Sequence, residues 1–321
     1  MGWKGTVRTV SAALRAAERD AQRRHKAAVK AQMIEDSAAA VSDWEDHIDE
    51  LVSVHTSLAR AIDWRAMANK PRPREPQSAK THQLKAEAAL AAFKPGFFDF
   101  FRGGSAKLRA RLEADLAEAS TRDRYDYEKA LVAFQSASEE WETDTALARR
   151  LLAGEATAIK EVIEELQSFS DHGLIGSAVS FSIREGLLHA RPEVHTDEIV
   201  PNFRRKQLAS GKLSETKMPA GQFNELYQDY VGSVALKVAG DLFQIVPLEE
   251  VYVTCLTKML NPKTGHQELT PILSVQFVRS TFARLNLAHL DPSDSMANFN
   301  HVMSFKKTKG FAPIEPLKPI E

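Results

Sequence analysis

Lys94-Pro-Gly-Phe-Phe-Asp-Phe-Phe-Arg-Gly-Gly104 separates two long segments of helical pattern, residues 34–93 and 105–169. Pro95 and Gly96 stop the first, and Gly103 and Gly104 let the chain turn and restart. The stretch therefore predicts the reversal point of a helical hairpin. Phe97, Phe98, Phe100 and Phe101, flanked by Lys94 and Arg102, admit two readings. They plug the end of the hairpin, or they form an exposed binding tip that enters a membrane interface or a partner's groove.

Upstream, Trp3, Val7, Val10 and Leu14, then Ala17, Ala21, Ala28 and Ala31, recur at steps of three and four, with Arg24 the one break. The period continues through Ile34, Ala38, Val41, Trp44, Ile48, Leu51, His55, Leu58 and Ile62. This is a coiled-coil seam, thin where alanine fills it, and nothing in the sequence stops the helix before Met67. His55 on the seam is expected to be a polar core residue that fixes register. Residues 69–76, with Pro71, Pro73 and Pro76, form a rigid kink, followed by a short helix from Lys80 to Phe93. The return helix places Leu108, Leu112, Leu116, Ala119, Tyr127, Phe134 and Trp141 near the same period, with Asp123 as an interruption. After Gly154, Ile159, Val162, Ile163, Leu166 and Phe169 form an amphipathic stripe.

The second half changes period. Val179, Phe181 and Ile183 alternate with polar residues as a half-buried strand, and Leu187 to Val194 reads as its hairpin partner. Thr196 to Met218 is polar. Phe223 to Phe243 has a wide apolar face, ended by Pro247, with Gly232, Ser233 and Gly240 expected to allow close approach to a sheet. Val251–Leu256 and Leu273–Phe277 are strands joined through a turn at Asn261–Gly265, and Asp291-Pro292 starts a helix. The fold class is α+β. A long antiparallel coiled-coil or helical-hairpin arm over 1–169 precedes a small antiparallel sheet with one long packed helix over 170–321. In the tail, Pro313, Pro316 and Pro319 recur every third residue, as do Ile314, Leu317 and Ile320. That is the period of a polyproline II segment, expected to lie as a strap along its own domain or to serve as a ligand for a proline-recognising partner.

Net charge is −1 over 321 residues, which gives no global case for nucleic acid. The distribution is uneven. Residues 1–30 carry eight Lys/Arg against Glu18 and Asp20, and residues 31–66 carry eight Asp/Glu against Arg60 and Arg65. Such a split suits antiparallel or staggered pairing of like chains, or a basic end that meets an acidic surface. The basic stretch from Lys4 to Lys30 is also a candidate nucleic-acid contact. Cys255 is the one cysteine, so no internal disulfide forms. No apolar run reaches the ~18 residues of a membrane span, and the N-terminus is too charged for a signal peptide. Met1-Gly2-Trp3-Lys4-Gly5-Thr6 fits the short N-myristoylation pattern. A cytoplasmic protein, with peripheral membrane contact as a variant, is the expectation.

Three candidate sites follow from residue types. His189, Glu193 and His195 can share one strand face, with Asp197 and Glu198 close behind, which suggests a divalent-metal or acid–base cluster. Asp197 with Glu215-Thr216-Lys217 imitates the acidic-x-Lys element of restriction-endonuclease-like nucleases, in which carboxylates hold Mg²⁺ and the lysine steadies the attacking water. Arg204, Arg205, Lys206, Lys306, Lys307 and Lys309 form basic clusters suited to phosphates. Phosphate-binding Gly-rich loops, nucleophile elbows and zinc spacings do not occur, and no cofactor is expected.

The run from Tyr227 to Phe243, with Leu290-Asp-Pro-Ser-Asp294, Phe305-Lys-Lys-Thr-Lys-Gly310 and Met1-Gly-Trp-Lys-Gly5, resembles a scattered family of bacterial coiled-coil proteins with no assigned activity. The resemblance implies a bacterial, cytosolic setting and transfers no functional residue. The function expected is a non-enzymatic interaction, sensor or adaptor protein, in stress or antiviral defence. Its partners would be another protein or a second copy. A metal-dependent nuclease or hydrolase and a nucleic-acid-binding arm are the alternatives.

Overall fold

The computed structural model describes residues 3–94, 104–165, 173–184 and 187–318, with side chains in the first helix from Gln22 onward. Helices α1 (Trp3–Val52), α2 (Trp64–Ala68), α3 (Thr81–Ala92), α4 (Gly104–Leu152) and α5 (Ala156–Glu165) come first. Strands β1 (Ala178–Arg184), β2 (Leu187–Glu193), β3 (Phe203–Gln207) and β4 (Leu213–Lys217) lead to α6 (Ala220–Ile245). Then come β5 (Glu250–Leu260), β6 (Gln267–Val278), α7 (Arg279–Phe282), α8 (Pro292–Ser295), β7 (Asn300–Met303), β8 (Phe305–Lys306) and β9 (Gly310–Phe311). The class is α+β.

The chain divides into two compact units, and not at residue 169: residues 1–62 join 154–321, while 63–153 stand as a unit of their own. The expected single arm over 1–169 is therefore replaced by two pieces. A heptad-like seam states that a face is buried, not against what. For α1 at Ser37, Trp44 and Leu51 the partner is the α+β part.

In the larger unit, five strands lie in the order β1-β2-β5-β6-β7. β2 and β5 are parallel and the other pairs antiparallel, so the sheet is mixed where a purely antiparallel one was expected. The cause is α6. A helix of 26 residues carries the chain back over the sheet, so β5 starts from the same end as β2. α6 is almost wholly buried from Tyr230 to Phe243. Tyr227 reaches Thr257 of β5 (3.2 Å), and the Cys255 thiol lies 3.9 Å from the Val231 carbonyl. The small residues of α6 serve other neighbours than the sheet. A Cβ on Gly232 would lie 3.0 Å from the Pro292 backbone of α8, and one on Gly240 would lie 2.6 Å from Leu58.

α1 ends at Val52, short of Met67. Beyond it, a 3-10 turn at Val54–Thr56 and an extended run to Ile62 follow α6, with the Ile62 N–H donating to the Gln244 carbonyl (3.0 Å). The polar stretch read as loop contains the β3–β4 ribbon. Its tip sits on α1, where Ser37 donates to the Gly211 carbonyl (2.7 Å) and Gln207 to the Ile34 carbonyl (2.7 Å). The tail runs as a strap. The Ile314 and Leu317 N–H groups donate to the Pro271 carbonyl (3.0 Å) and Ser274 Oγ (3.1 Å). Ile314 and Leu317 are half-buried, and Pro313, Glu315, Pro316 and Lys318 are exposed, as three residues per turn requires.

In the smaller unit, residues 64–92 run antiparallel to α4. Trp141 Nε1 donates to the Lys70 carbonyl (2.7 Å), Arg72 pairs with Glu142 (3.4 Å), and His82 pairs with Asp126 (2.9 Å). Asp123, an apparent interruption of the seam, caps α3 by accepting from the His82 and Gln83 N–H groups (2.8 and 3.0 Å). Desolvation works against its charge, but these bonds outweigh it and hold the carboxyl below its ordinary range.

Candidate functional site

The most elaborate polar construction lies on α6. Ser233, Lys237 and Asp241 recur every fourth residue and share one face of the helix. All three are buried, at 0%, 3% and 1% exposure. Each meets the run after α1. Ser233 Oγ bonds His55 Nδ1 (2.8 Å) and accepts from the His55 N–H (3.1 Å), while His55 Nε2 lies 2.9 Å from the Leu287 carbonyl. Lys237 donates to the Ser57 carbonyl and pairs with Asp241 (2.8 Å), whose second oxygen accepts from the Ala59 N–H (2.7 Å). The stripe supplies partners to backbone groups that a buried irregular segment would otherwise leave unpaired. It explains why the α1 helix stops where it does. His55 is thus a buried polar residue that fixes position, but against α6 rather than in a coiled-coil seam; burial lowers its pKa.

A second chain crosses the sheet. His189 Nε2 lies 2.8 Å from Thr254 Oγ1, which lies 2.8 Å from Ser274 Oγ, the acceptor of the Leu317 N–H. Burial, and after it the charge of Arg191, push the His189 imidazole down to about 4, so the ring is neutral near pH 7.

The three residues read as a metal trio are engaged separately. His189 holds this chain, Glu193 bonds Ser177 (3.1 Å), and His195 lies 2.6 Å from the Gly173 carbonyl. Among the described residues no group of three or more His, Cys, Asp or Glu is placed to hold a metal ion. In the nuclease-like set, Glu215 pairs with Arg205 (3.2 Å) across the β3–β4 ribbon. Lys217 is exposed opposite Phe203, and Asp197 is exposed in a separate 3-10 turn. Glu215 and Lys217 thus sit on a two-stranded ribbon outside the main sheet.

The two basic clusters meet at one place. Arg204 donates to Gln222 (3.2 Å), and Lys307 pairs with Glu225 while its carbonyl accepts from Asn224 (2.6 Å), all on the first two turns of α6. Lys206, Lys306 and Lys309 are exposed nearby in sequence, and Arg205 turns to the other ribbon face, over the Phe203 ring at 4.9 Å. Of the aromatic tip, only Lys94 lies within the described residues, and it is exposed; Phe97, Phe98, Phe100, Phe101 and Arg102 lie outside them.

On α1 itself, every residue from Gln22 to Gln32 is exposed, whereas Ser37 and Leu51 are buried and Trp44 donates to the Phe203 carbonyl (3.1 Å). The helix is continuous, but the described part of its first half leaves the domain uncovered. No described helix is long and apolar enough to cross a membrane. The chain matches no family model, no curated protein and no solved structure.

Proposed function

We propose that the chain is a non-enzymatic interaction protein. It associates with a second copy through the first half of α1 and presents the 94–104 stretch, which lies between α3 and α4 in the sequence, to a partner surface. The observation that carries this reading is the unequal fate of one helix. α1 runs unbroken for 50 residues, yet its described side chains are all exposed from Gln22 to Gln32 and meet the domain only from Met33 onward. A helical stretch with a thin alanine seam and exposed side chains is marginal in water, so a partner is the natural source of its stability. The polar constructions on α6 and across the sheet bind one part of the fold to another and so fit a rigid platform for that arm.

Sedimentation velocity tests the reading. The full chain should associate as its concentration rises, and removal of residues 1–30 should leave a monomer. A chain that remains monomeric throughout would reject it. Phe98→Asp with Phe101→Asp should abolish partner or vesicle binding without a change in association.

A further inference from the structure

We infer that the exposed basic stretch of α1 from Arg23 to Lys30 meets the acidic outer face of α1 in a second copy, head-to-tail rather than about a two-fold axis. The inference rests on the self-association proposed above and specifies its polarity. Arg23, Lys26 and Lys30 are exposed and spaced by three and four, and the same spacing continues through Met33 and Ser37. At 100° per residue these positions share one stripe, the side that α1 turns towards its own β3–β4 ribbon. Asp43, Asp46 and Glu50 are also exposed, with the same spacing, but on the opposite side of the helix. A two-fold pair uses the same face on both copies, so it would not bring these stripes together. A staggered head-to-tail pair does. Arg23, Lys26 and Lys30 meet Asp43, Asp46 and Glu50 at one common offset of about 20 residues, roughly 30 Å along the helix.

Apolar surface lies beside the basic stripe. Val29 and Leu213, 57% and 40% exposed, border a groove with Met33. The charge balance also favours a like chain over a phosphate polymer, because the acidic half of α1 adjoins the basic half and would repel the polymer. Exposed ion pairs are individually weak and screened by salt, so this contact is reversible and salt-sensitive. Because the two faces differ, a pair leaves one of each unmatched, and the assembly grows past a dimer into a ring or a filament.

The test is a charge exchange followed by sedimentation and light scattering at low and high salt. Wild type should form species that grow past a dimer at low salt and dissociate at about 0.5 M salt, beyond a few-ångström Debye length. Arg23→Glu/Lys26→Glu/Lys30→Glu and Asp43→Lys/Asp46→Lys/Glu50→Lys should each stay monomeric, with unchanged circular dichroism. Their equimolar mixture should recover assembly. A species that stops at a dimer would overturn the head-to-tail contact and leave self-association standing. A mixture that fails to assemble, or single variants that still assemble, would also overturn it. A monomer under every condition would remove both readings. If the monomer captures duplex DNA, and the triple Glu variant does not, the stripe belongs to nucleic acid instead.

Discussion

Asp229 holds its proton to higher pH than a free carboxyl does. It is half-buried on α6, and burial is the main cause; a hydrogen bond from Ser293 opposes it, and Asp291, Glu225 and Asp294 add repulsion. Lys307 is already paired with Glu225, so it offers Asp229 little relief. The carboxyl is pushed from 3.8 up to about 6. A raised carboxylate pKa makes the folded state the better proton binder, so stability falls as pH rises through that window and stays reduced above it. Asp229→Asn removes the penalty. Its gain should grow between pH 4 and 6.5 and then level off at about 1–2 kcal/mol, below the full shift because water reaches the carboxyl. Urea titrations of both proteins across that range check it, and a gain independent of pH would sink the argument. His189 acts at the other end. Its neutral ring contributes stability that is lost as pH falls from 6.5 towards 4.

The α6 helix shows what a period reveals and what it hides. Its apolar face, the neighbouring strands, the Asn261–Gly265 turn and the Asp291 cap all follow from local pattern and are present. Lys237 and Asp241, opposite charges four apart inside an otherwise apolar helix, carry the local signal of a buried pair, which the apolar period alone does not reveal. The role of Asp123 was equally visible as a seam position occupied by an acid, but its partner, the α3 terminus, is 41 residues away. The β3–β4 ribbon was illegible for a physical reason. Its inward face carries Phe203, Arg205 and Gln207, which pack on or bond to other groups through polar ends and so show no apolar alternation. Lys237→Met should therefore cost about 3–5 kcal/mol, because Asp241 is left buried and uncompensated. Adding Asp241→Leu should not restore stability, since the Ala59 N–H and Ser57 carbonyl then lose their partners. Full rescue in the double variant, measured by chemical denaturation, would show that the stripe does not hold the 55–62 run.

At the scale of the molecule, the two units differ in what holds them. The larger has a core of Tyr230, Leu236, Leu242, Tyr252, Leu273 and Phe277, each under 3% exposed. In the smaller, the buried positions on α4 are Ala119, Asp123, Thr145, Ala148 and Leu151, mostly small or polar. Apolar burial scales with the area removed from water, so the hairpin of residues 63–153 has the smaller favourable term per residue ordered. The sequence could place both seams but could not weigh them, because the weight depends on which face each seam meets. The hairpin should consequently open first. Native-state hydrogen exchange at rising urea should show α3 amides and the facing turns of α4 exchanging at free energies below those of β5 and β6, as separate cooperative sets. Asp123→Ala, which removes the cap on α3, should lower the first set and leave the second unchanged. If both sets move together, or if the sheet amides exchange before the hairpin, the two units share one cooperative transition and the division at 62/63 and 153/154 carries no energetic meaning.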